Sequence, residues 1–204
     1  MTKSHLTTFG MPGVGIVPYG FHACHFYPSR QDLIDGLLPY FVAGLTNNER
    51  CIWIASHPLP AAEIAMEIAQ RPELEVGLAS GQLKIWDAID WYGEPAAVAA
   101  EQIVERCIEE EARAIADGHE GLRISCNTSV AAREDWGRLM EFEARLHHQL
   151  RDRRIVACCS YSGLECRPVD MLEVVRCHGA TLERVDAHWQ VFVQNLAPSQ
   201  RSKV

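Results

Sequence analysis

Apolar positions along this chain fall into two rhythms, one of strand length and one of helical period, and the two alternate. Phe21 to Tyr27 (FHACHFY) is a short aromatic-rich run closed by Pro28, which predicts a strand. Ser29 is then placed to cap a helix with Leu33, Leu37, Leu38, Phe41, Val42 and Leu45 at helical spacing, ending near Gly44 to Asn48. Arg50 to Ser56 (RCIWIAS) is continuously apolar, the pattern of a parallel strand buried on both faces. A helix over Pro60 to Ala69, a helical turn over Glu73 to Ser80 and a strand over Gln82 to Asp87 follow. Trp91 to Pro95 reads as a loop before a long helix rich in Ala and Glu over Ala96 to Ala116. The pattern then repeats: a strand over Gly121 to Cys126, an amphipathic helix over Arg133 to Arg151, and a strand over Arg154 to Tyr161. A helix over Val169 to His178 and a strand-like stretch over Thr181 to Val193 predict an antiparallel edge or hairpin at the end.

This alternation predicts an α/β fold of three layers, a mostly parallel sheet flanked on both faces by helices. At 204 residues the chain fits one core. Residues 1–20, polar and then rich in Gly and Pro, read as an N-terminal extension, 21–196 as the domain, and 197–204 as a flexible tail.

Charge narrows the partners. A formal charge of −8 with no basic stripe argues against direct nucleic-acid binding, which needs clustered Lys and Arg. No stretch is apolar enough to span a bilayer and no signal-peptide run opens the chain, so a cytoplasmic location is expected. In a reducing compartment the eight cysteines are expected to stay free, and several, in CIWIAS, LRISCNTS and IVACCSYS, read as small buried hydrophobes.

In open α/β sheets ligands bind beyond the carboxyl ends of the strands. The residues there include Phe26, Tyr27, Ser29 and Arg30, then Ser56 and His57, Trp86, Asp87 and Trp91, Asn127 and Thr128, and Tyr161 and Ser162. A strand, tight loop and helix opening at Ser29 is the layout of a phosphate-binding loop, but YPSRQD has neither the glycines nor the Gly-Lys-Ser/Thr ending. In His22-Ala23-Cys24-His25, strand alternation puts His22 and Cys24 on one face and His25 on the other. A metal site would need Cys158, Cys159 or His178 from elsewhere; packing of hydrogen-bonded core histidines is the plainer reading. Glu143 and His147, four apart on a helix, suit a surface pair or capping role, and Glu109 to Glu111 a solvated helix face.

Taken in order, GxGxVPYGFHACHFY, LLPYFVAGLTNNERCIWIAS, GQLKIWDAIDWYGEP, GLRISCNTS, DWxRLMEFE and ACCSYSGLEC resemble the MEDS (methanogen/methylotroph, DcmR-type sensory) family from about Gly13 to Trp189. The strand-loop-helix unit followed by AGLTNNERCIWIAS also resembles the RecA/KaiC-type fold, here without a functional Walker A loop. The resemblance implies a signal-transduction module that senses a small molecule, such as a simple hydrocarbon derivative, and does not turn it over. It carries the family's marked positions onto His22, Cys24, Phe26, Tyr27, Gly44-Leu45, Glu49, Arg123, Glu143, Cys159, Tyr161 and His178 as pocket or switch residues. Arg30, His57 and Asn127 complete the expected ligand-binding set. With no kinase or helix-turn-helix after Trp189, the output is expected to pass to a signalling partner protein, such as a histidine kinase or transcription regulator, or through a homodimer. Two alternatives stand beside this: a metal or redox sensor built from His22, Cys24, Cys159 and His178, and an enzyme using Cys24 or Cys159, which would need a depressed thiol pKa. No cofactor and no catalytic residue is assigned.

Overall fold

A computed structural model describes residues 6–93, 100–128, 135–185 and 188–193. A hairpin of β1 (Leu6–Thr8) and β2 (Ile16–Pro18) leads into β3 (His22–Tyr27), α1 (Arg30–Thr46), β4 (Arg50–Ala55), α2 (Ala61–Ile68), α3 (Pro72–Ser80) and β5 (Leu83–Asp87). The chain continues through α4 (Ala88–Tyr92), α5 (Ala100–Ala116), β6 (Leu122–Thr128), α6 (Trp136–Leu150), β7 (Ile155–Ser162), α7 (Pro168–Cys177), β8 (Ala180–Val185) and β9 (His188–Val193). Seven strands form one sheet in the order β5-β4-β6-β7-β3-β8-β9, parallel throughout except for the last pair.

Every residue of β3, β4 and β7 is buried, because helices cover both faces and unbroken apolar runs satisfy both. Side chains alternate between two cores. One packs Ala23, Tyr27, Trp53 and Cys158 under α1, α2 and α3; the other packs Cys24, Phe26, Cys159 and Tyr161 under α5, α6 and α7. Only Pro28 and Ser29 separate β3 from α1, and the Ser29 side chain accepts from the Asp32 N–H at 3.1 Å. So short a link leaves no room for a backbone nest around phosphate, which agrees with the missing Walker residues.

Several expectations change. The segment expected as an extension contributes Phe9 and Met11, at 0% and 2% exposure, to the first core. Trp91 and Tyr92 close α4 instead of lying in a loop, while Glu94, Pro95 and residues 96–99 fall outside the described residues, as do residues 129–134 and 194–204. The terminal stretch splits into β8, parallel to β3, and β9, antiparallel at the sheet edge. Glu110 and Glu111 do not form a solvated face. Both are buried: Glu110 faces Arg50 at 3.5 Å and Arg113 at 2.6 Å, and Glu111 accepts from the Arg154 N–H at 2.5 Å. Arg50 at the start of β4, Arg113 on the same helix, and Arg153 with the Arg154 N–H just before β7 supply the partners that let α5 bury both carboxylates.

Candidate functional site

The site is assembled by register. β3 and β7 pair in parallel with Cys24 opposite Cys159 and Phe26 opposite Tyr161, and alternation puts His22, Cys159 and Tyr161 on the face under α6 and α7. Helix α6 buries the stripe Trp136, Phe142, Glu143, Leu146 and Leu150, which lowers Glu143 onto β7. His178, the cap residue of α7, turns into the same space just before β8 begins.

Four donors meet there. His22 Nε2 lies 3.4 Å from Glu143 Oε2 and 3.5 Å from Cys159 Sγ. Cys159 Sγ is 3.6 Å and His178 Nε2 3.5 Å from the same Glu143 oxygen. The other Glu143 oxygen accepts the Tyr161 hydroxyl at 2.5 Å. Glu143, Tyr161 and His178 are 0% exposed, His22 1% and Cys159 3%. The His22 and His178 rings stand 4.1 Å apart between centroids.

Electrostatics make this arrangement unusual. Burial lowers the pKa of both His22 and His178 to about 3, with His147 adding to the effect on His22 and His22 to that on His178, so both rings are neutral at pH 7. The Nδ1 of His178 lies 2.7 Å from the Val174 carbonyl, which can only accept; Nδ1 therefore carries the proton and Nε2 points a lone pair at Glu143. Among the described residues no Lys or Arg pairs with Glu143. Among the described residues His22 Nδ1 and His178 Nε2 have no hydrogen-bond partner. A hydrogen bond with Cys126, together with burial, pushes the Cys159 thiol well above its ordinary range, and burial pushes Cys24 up to about 12. The reactive thiolate that a thiol enzyme would need is thus disfavoured at both positions.

Other expected site residues lie apart. Cys24 does not join the four donors; its thiol sits 3.4 Å from Thr181 Oγ1 and 3.6 Å from the Ala180 carbonyl, because β8 flanks β3 on the side away from β7. Glu143 takes the place expected for Cys24, and its anticipated surface role with His147 is overturned by its burial. The Phe26 ring lies tilted against that of Tyr161 with centroids 6.0 Å apart, and Tyr27 belongs to the opposite core. At the carboxyl ends, Arg30 binds Glu63 at 2.6 Å, the Asn127 amide donates to the Ser56 carbonyl, and His57 is exposed. These residues do not converge with the buried four. His22 opens β3 and His178 precedes β8, while Cys159 and Tyr161 lie in the carboxyl half of β7, so the cluster is buried along the sheet face and is not the crevice expected beyond the carboxyl ends.

Arg123 and Glu49, also expected as site residues, form a separate pair on the other face. Arg123 Nε donates to Glu49 Oε2 at 2.5 Å, and the guanidinium also donates to the carbonyls of Phe9 and Thr8 at 2.5 and 2.7 Å. Gly44 permits this: a Cβ there would stand 2.5 Å from Arg123 Cδ. What the sequence missed was Glu143 as a fully buried group; its place in the apolar stripe Phe142, Leu146 and Leu150 was the available signal.

Residues 21–179 match the family model described as the methanogen/methylotroph, DcmR sensory domain, MEDS. No curated protein matches the chain by sequence. Among solved structures, a KaiC-like protein from the hyperthermophilic archaeon Pyrococcus horikoshii superimposes with a TM-score of 0.61 at 11% identity, covering 93% of this chain and 87% of that one. At that identity the likeness bears on the fold, which is RecA/KaiC-like.

Proposed function

This chain belongs to the MEDS sensory-domain family, and on that premise we propose that it binds a small, weakly polar molecule at the buried His22, Glu143, Cys159, Tyr161 and His178 cluster and passes the signal to a partner protein. The observation that carries the reading is the pair of imidazole nitrogens, His22 Nδ1 and His178 Nε2, unpartnered among the described residues and packed among the apolar side chains under α6 and α7. Buried polar atoms are normally satisfied, and two open nitrogens on adjoining rings beside one buried carboxylate are a place where a ligand can supply the missing partner. The cluster joins β3, β7, α6 and the end of α7, so occupancy would bias how those helices sit on the sheet. The partner, a histidine kinase or a transcription regulator, would read that bias; self-association is a second route for the output. No helix among the described residues is long and apolar enough to cross a membrane.

Titration of isotope-labelled protein with methanol, methylamine, dichloromethane and short-chain alcohols, followed by amide NMR, tests the reading. One of these classes is expected to move resonances of β3, β7 and α7 saturably, and Tyr161→Phe to weaken that response with the fold intact. Absence of a saturable response to every class at millimolar concentration would overturn it.

A further inference from the structure

The same cluster has the dimensions of a metal site. A tetrahedral zinc-class ion with bonds of about 2.0–2.2 Å to nitrogen and oxygen and about 2.3 Å to sulfur sets its ligands about 3.4 Å apart for nitrogen and oxygen, and about 3.6 Å apart where sulfur is one of the pair. Four of the six separations already match: 3.4 and 3.5 Å for the two imidazole nitrogens from Glu143 Oε2, 3.5 Å from His22 Nε2 to Cys159 Sγ, and 3.6 Å from that sulfur to Glu143. One ligand atom from each of the four residues lies within 4.8 Å of every other. We propose that His22, Glu143, Cys159 and His178 bind one divalent cation of the zinc class through two imidazole nitrogens, a carboxylate oxygen and a thiolate.

Charge and orientation support the same assignment. A thiolate and a carboxylate together neutralise a dication, which gives a buried centre of no net charge and removes the need for an arginine or lysine beside Glu143. On binding, the Cys159 S–H bond is lost, its proton leaves to solvent, and the sulfur lone pair goes to the metal. The outer contacts are those of ligands held ready: Val174 carbonyl fixes the His178 tautomer so that Nε2 faces inward, and the Tyr161 hydroxyl holds the second Glu143 oxygen. Softness of the donor set favours zinc over magnesium or calcium, which prefer oxygen. As a closed set from two strands and two helices, the ion would clamp α6 and α7 to the sheet. In one further step, which rests on the sensing reading above, a small ligand bearing a nitrogen, oxygen or sulfur donor would act by displacing one of the four.

The test uses full-length protein unfolded with a chelator and refolded with cobalt(II), since a fully enclosed site fills during folding. One equivalent is expected to bind, with the intense visible bands of tetrahedral cobalt and a near-ultraviolet band from thiolate-to-cobalt charge transfer, and zinc is expected to displace it. Cys159→Ser should abolish the charge-transfer band, Cys177→Ser should retain it, and Glu143→Gln should weaken binding by more than the roughly tenfold that loss of an outer contact costs. Failure of the wild-type protein to bind cobalt at micromolar concentration, or a band that survives Cys159→Ser, overturns the proposal. Metal content and the small-molecule titration are read separately, so an unresponsive metalloprotein would defeat only the sensing reading, and a responsive metal-free protein only this one.

Discussion

Two glutamates, Glu49 and Glu143, lie on opposite faces of one sheet, each 0% exposed, and their surroundings differ in a way that separates scaffold from site. Glu49 is fully answered. Arg123 neutralises it, Thr7 and Tyr19 donate to its other oxygen at 2.5 and 2.8 Å, and Arg123 spends its remaining donors on the carbonyls of Phe9, Thr8 and Tyr40. That network staples the β1–β2 hairpin to α1 and β6, and every member has a partner in the chain. Glu143 has one hydroxyl, one thiol and two neutral imidazoles, with two ring nitrogens left open. A satisfied buried network fixes a structure, whereas an unsatisfied one waits for a ligand.

The largest test breaks the first network. Arg123→Met leaves Glu49 buried without a counter-charge and should cost about 3–5 kcal/mol in denaturant unfolding, while the double variant with Glu49→Gln should recover much of the loss. Next comes the other glutamate's network: at a free zinc concentration about 100 times the dissociation constant, the wild-type protein should gain about 2.7 kcal/mol over chelator-treated protein, and Glu143→Gln should show little of that gain. If both variants respond alike to metal, the contrast between the two glutamates fails. Gly44→Ala pushes a methyl group against Arg123 and Cys51 and should cost about 1–3 kcal/mol in thermal unfolding without altering cobalt binding. Smallest is Tyr161→Phe, which removes one hydrogen bond and should cost about 1 kcal/mol in stability, with roughly tenfold weaker metal binding as the sharper readout.

Much of the fold was legible in the chain. Runs such as RCIWIAS and IVACCSYS are too uniformly apolar for anything but strands covered on both sides, and the Ser29 cap and the stripe of α1 mark a helix by local chemistry alone. Short elements were less legible: β1 and β2 are three residues each and were hidden in a glycine-rich stretch, and α4 is five residues long. The site was legible in part. Resemblance to the family brought forward His22, Glu143, Cys159, Tyr161 and His178, but it set them beside Cys24, Arg123 and Glu49 with nothing to separate the groups.

What the sequence determined by itself was everything with a short period: alternating strands and helices, the shared face of His22 and Cys24, and the absence of a phosphate loop after β3. Only the tertiary structure decided which distant residues meet. His22 faces Cys159 across 137 positions because β7, and not the next strand in the chain, lies beside β3, while Cys24 is turned toward β8 on the other side. Strand order and register are set by how whole layers bury their surfaces together, and no local rhythm of apolar and polar residues encodes that choice.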